Sequence, residues 1–85
     1  MLSADVLQDE LAVSLAYVVA AANKQAAELG VDVRQCLVTI TQMIEDEPRW
    51  RINYGPKDYL GRRGGDLIIE VDPSDASVKR VLRGQ

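Results

Sequence analysis

Neither proline nor glycine interrupts the first twenty-nine residues, and Gly30 then stands where a helix would end. A breaker-free stretch of that length, rich in Leu, Val and Ala, is best satisfied by one long helix. Ser3 offers an N-cap and Asp5 falls in the first turn, at the positive end of the dipole. Gly30 suits the left-handed conformation that closes many helices. The reading is a helix over about residues 3–29, about 40 Å long. At about 100° per residue, Leu7, Leu11, Leu15, Val18, Val19, Ala22, Ala26 and Leu29 share one broad stripe, the expected core face. A second stripe of Val6, Val13 and Tyr17, flanked by Ala20 and Lys24, lies well away from the first. Either it is ordinary exposed apolar surface, or it is a second contact with another subunit or partner.

From Val33 the apolar period changes to two. Cys36, Val38, Ile40 and Ile44 alternate with Gln35, Leu37, Thr39, Thr41 and Met43, which predicts a strand over about residues 33–45. Glu45–Pro48 is a polar turn, since Pro48 has no N–H to pair. Trp50, Ile52 and Tyr54 alternate with Arg49, Arg51 and Asn53, giving a second strand, 49–54, with one dry and one wet face. A third strand is expected at 66–72, followed by a Pro-Ser-Asp turn. Residues 77–83 carry apolar spacing that fits helix or strand. Placing Asp72 opposite Ser77 pairs Val71 with Val78, Glu70 with Lys79, Ile68 with Val81, Leu67 with Leu82 and Asp66 with Arg83. Apolar and opposite-charge pairs in one register favour a hairpin and hence a fourth strand. That register puts Ile68 and Val81 together on an outer face, opposite Leu67, Val71 and Leu82. The expected fold is therefore α+β in a single domain, 1–85. A long N-terminal helix would pack across a four-stranded antiparallel meander, α-β-β-β-β, in two layers. Both end strands would be edges able to pair with another chain.

Composition narrows the function. A chain of 85 residues buries only about 60% of the surface its unfolded form exposes. With no Phe and one Trp the core must be built from Val, Leu, Ile and Ala, and such a light core favours oligomerisation. The net charge of −3 argues against nucleic acid as a partner. Residues 1–42 hold five acids and two bases, while 43–85 hold eight of each. The chain has no His and one Cys, so the commonest general base is missing and zinc has no ligand set. Cys36 falls on the apolar face of its strand, where a thiol is inert. The apolar run Leu11–Ala22 follows Asp5, Asp9 and Glu10 with no basic side chain, the reverse of a signal peptide, and is too short for a bilayer. These features lead us to expect a cytoplasmic protein without metal, cofactor or membrane partner.

The segment "GPKDYLGRRGG", residues 55–65, is the longest without periodicity. Glycine-rich backbone with Arg62 and Arg63 can form an anion-binding nest. Phosphate and dinucleotide loops, however, open a helix, and here a strand follows, so the glycines read first as the geometry of a connection between two strands. Tyr59 and Leu60, rimmed by Arg62 and Arg63, either fold back onto the sheet edge as the loop's own apolar residues or have the make-up of a protein-binding hot spot. These four are the candidate partner contacts. An anionic ligand held by Arg51, Arg62 and Arg63 is the alternative. The carboxylates at Glu45–Glu47, Asp58 and Asp66 stand beside no base or ligand spacing that would make a catalytic constellation.

The back half also resembles known domains. Trp50, Gly64, Gly65, Ile69, Val71, Asp72, Val78 and Val81, in "WRINYG…GGDLIIEVDPSDASVKRVLRGQ", are similar to the ending of PepSY-type and related cystatin-like domains. They also resemble small immunity proteins built on the nuclear-transport-factor-like version of that sheet. The resemblance covers about the last forty residues, and the glycine usual after the final turn is replaced by "SDAS". It implies a cystatin-like two-layer fold and a protein-binding, inhibitor-like or immunity-like module. The combined expectation is a non-enzymatic protein-binding module that forms a homo-oligomer, with a dimer favoured. Its candidate interface is either the helix positions Val6, Val13 and Tyr17 or the outer sheet face with Ile68 and Val81.

Overall fold

The structure, a computed structural model, describes residues 8–56 and 66–83. Helix α1 spans Glu10–Glu28 and is capped by Asp9, whose carboxylate accepts the Ala12 N–H at 3.0 Å. Gln8 lies in a turn, so the helix does not run unbroken from Ser3 as expected. Asp is as strong a cap as Ser, and Glu10 directly after it sits at the positive end of the dipole. At the other end Gly30, with φ +85°, donates to the Ala27 carbonyl, and Val31 donates to that of Ala26, each at 3.0 Å. This Schellman closure needs a left-handed residue, which explains the glycine. A single 3-10 turn, Val33–Gln35, follows, capped by Asp32 accepting from the Arg34 N–H at 3.2 Å.

The strands are β1 (Cys36–Met43), β2 (Arg49–Pro56), β3 (Leu67–Val71) and β4 (Val78–Arg83). They pair in sequence order, β1-β2-β3-β4, every neighbour antiparallel. The fold is thus the expected α+β arrangement, one helix on a four-stranded meander. Of the ambiguous segment 77–83, residues 78–83 are strand.

The core lies between α1 and the middle of the sheet. Val18, Ala22 and Ala26 of the helix are buried against Trp50, Ile52 and Tyr54 of β2 and Leu67, Ile69 and Val71 of β3. In the sheet these pair as Trp50–Val71, Ile52–Ile69 and Tyr54–Leu67, a clean alternation that dries one face. The small residues Ala22 and Ala26 let the helix approach closely. Tyr54 is buried to its hydroxyl, which donates to Asn23 Oδ1 at 2.7 Å and ties β2 to α1. Burial, with a smaller contribution from Cys36, pushes the Tyr54 phenol up to about 12. The expected helix stripe is correct in direction but only its middle meets the sheet. Leu11 is 56% exposed and Leu29 is also exposed. A five-residue β3 is about 17 Å long, whereas a 19-residue helix is about 28 Å.

The β3–β4 hairpin departs from the expected register. Asp72 donates to the Ser77 carbonyl at 2.8 Å and Val71 sits opposite Val78, as read from the sequence. A bulge then shifts the ladder by one, so that Glu70 faces Arg80, Ile69 faces Val81, Ile68 faces Leu82 and Leu67 faces Arg83. Lys79, released from the pairing with Glu70, bonds Glu47 at 2.9 Å instead. A one-residue shift flips every side chain beyond it. Val81 therefore lies on the helix-side face beside Ile69, not with Ile68 on the outer face. Ala76, at φ +58°, takes the left-handed conformation at the end of the turn.

Candidate functional site

The sheet is wider than helix α1. Helix α1 lies over β3 and β2, and among the described residues no other element covers the strands on either side. On the helix-side face of β1, Val38 pairs with Tyr54 and Ile40 with Ile52, so both continue the core rows. Yet each is 41% exposed, while Ile52 is fully buried. Leu37 on the opposite face of β1 is 47% exposed, and Ile44 just past its end is 73% exposed. β1 is thus an eight-residue edge strand with aliphatic side chains open on both faces. No charged residue occurs from Gln35 to Ile44. Sheet edges are normally blunted by charge, proline or bulges. β4, the other edge, has Lys79, Arg80 and Arg83 and the bulge; β1 has none of these.

The outer face carries a charge cluster. Glu70 is buried there and accepts from Arg51 at 2.8 and 3.0 Å and from Arg49 Nε at 3.1 Å. Burial pushes its carboxyl up, but Arg51, Arg49 and Arg80 together outweigh that and hold it below the usual range. Arg51, expected as an anion ligand, is thus already committed to Glu70. In the same layer Asn53 faces Thr39 and Ile68, and its Oδ1 is enclosed without a hydrogen-bond partner among the described residues.

The other expected contacts that are described fall on different surfaces. Val13 and Tyr17, the latter 68% exposed, line an open groove of about 720 Å³ with Pro73 and Ala76 of the β3–β4 turn. The Ser14 hydroxyl bridges that groove to the Pro73 carbonyl at 3.4 Å. Ile68 is on the outer face and Val81 on the helix side. Val6 lies outside the described residues, as do Tyr59, Leu60, Arg62 and Arg63. Cys36 is half-buried against the core, its Sγ 3.4 Å from the Asp32 carbonyl. Burial, followed by the Asp32 charge, pushes its thiol up, away from the reactive thiolate.

Sequence reasoning passed over Val38 and Ile40, because both sat on the face it assigned to the core. The available signal was the combination of β1's apolar character on both faces with its missing charges. Among the described residues, no helix is long and apolar enough to cross a membrane, and no group of three or more Cys, Asp or Glu is placed to hold a metal ion. Neither a family model, a curated protein nor a solved structure matches the chain.

Proposed function

We propose that this chain is a non-catalytic, cytoplasmic protein-binding module whose first partner is another copy of itself. One observation carries the reading: Val38 and Ile40 extend the buried rows of β2 but remain open to solvent. Apolar groups contiguous with a core and left uncovered mark association surfaces. The light core points the same way, since covering β1 would add the burial that a chain of 85 residues lacks. The non-catalytic part rests on the residue inventory, with no His and a single thiol held protonated. An inhibitor-like or immunity-like role towards a different protein fits the resemblance of the back half, with Tyr59, Leu60, Arg62 and Arg63 as the candidate contacts by their own composition. The anionic-ligand alternative is weakened by the engagement of Arg51 with Glu70.

Size-exclusion chromatography with light scattering tests the self-association. We expect twice the chain mass of 9.4 kDa at high micromolar concentration, falling on dilution. A strict monomer throughout that range would remove the proposal.

A further inference from the structure

Resting on that reading, we infer that β1 pairs antiparallel with β1 of a second copy, about a two-fold axis passing through Thr39. The two sheets then join edge to edge into one, with both helices on the same side.

Three observations select this geometry. First, β1 is the neutral edge, whereas β4 presents Lys79, Arg80 and Arg83 beside a bulge. Two β4 edges would bring like charges together; two β1 edges bring none. Second, the strand is complementary to itself. A two-fold axis perpendicular to the sheet keeps each face with its like, so even residues must meet even and odd must meet odd. With Thr39 opposite Thr39 of the second copy, Val38 faces Ile40 twice, Leu37 faces Thr41 twice and Cys36 faces Gln42 twice. The four exposed Val38 and Ile40 side chains then form one cluster on the helix side, at the cross-strand spacing where aliphatic pairs stabilise. Third, the flanks of β1 are charged and unlike. Arg34, 91% exposed at its side chain, precedes the strand, and Glu45, Asp46 and Glu47 follow it. Asp32 caps the Arg34 N–H and also lies 3.7 Å from its guanidinium Nε, a solvated pair that leaves most of the Arg34 side chain open to a second copy. Antiparallel pairing brings each Arg34 beside the Glu45 end of the other copy, whereas parallel pairing would put like flanks together. Every second residue of an edge strand leaves its backbone N–H and C=O unpaired, and the new ladder pairs them. A patch of this kind is at the low end of stable interfaces, about 1,200 Å² over both partners, so the dimer is a reversible one.

The register is tested by cross-linking at the axis. In a Cys36→Ser background, Thr39→Cys places two thiols directly opposite each other, and mild oxidation is expected to give a covalent dimer in high yield. Thr41→Cys in the same background sets its two thiols about 14 Å apart and is expected to stay largely uncross-linked. Without oxidation or cysteine, Thr39→Lys puts two ammonium groups on the axis and is expected to elute as a folded monomer, with the circular dichroism of the parent. A dimeric parent whose Thr39→Cys variant fails to cross-link, or whose Thr39→Lys variant stays dimeric, overturns the β1 pairing and leaves self-association standing through another surface. A parent that is monomeric at high micromolar concentration overturns both.

Discussion

Glu70 is the residue whose surroundings say most about the outer face. Its carboxylate sits under Arg49 and Arg51 with the opposing Arg80 nearby, on a face that a single-layer reading would call wet. Because its folded-state carboxyl is held below the unfolded value, the cluster stabilises the protein above about pH 4.3. That stability is lost as pH falls through the folded value. Glu70→Gln keeps the shape but leaves two guanidinium groups facing a neutral amide. Arg51 is partly solvated, which softens the loss to about 2 kcal/mol at neutral pH. Thermal melts should show the variant markedly less stable at pH 7 and the gap closing towards pH 3. An unchanged gap across that range would mean that the arginines do not depend on the charge of Glu70.

At the scale of elements, β1 and β2 make a controlled comparison. Ile52 and Ile40 are directly opposite each other, yet one is under the helix and the other is not. Ile52→Ala empties part of a packed core and should cost about 3 kcal/mol in denaturant unfolding. Ile40→Ala should cost less than about 1 kcal/mol in the monomer and show its effect as weaker self-association. Equal losses of monomer stability would mean that β1 is covered within the chain itself. The strands and their order were legible from period two because β2 and β3 have one dry face each. The direction of the helix stripe was legible for the same reason. Its start was not, since Ser3 and Asp9 are equally good caps and only the turn at Gln8 separates them. The β4 register was lost to a bulge at Lys79, which apolar spacing cannot reveal because Val81 and Leu82 are both aliphatic. The open face of β1 was hidden because sequence shows which side of a strand is apolar but not how many strands one helix covers.

At the scale of the whole molecule, helix α1, through the compact side chains Val18, Ala22 and Ala26, covers two strands of a four-stranded sheet. The rows of side chains that begin in the core therefore run out into solvent at Val38 and Ile40 on one flank and at Val81 on the other. The two flanks differ in charge, and that difference decides which of them receives a second copy. Hydrogen exchange read strand by strand at increasing protein concentration bears on this directly. We expect amides within residues 36–43 to slow as concentration rises, in the same range where the particle mass doubles, while those of 78–83 keep their rates. Exchange in β1 that stays independent of concentration while the mass doubles would contradict an association surface on that strand.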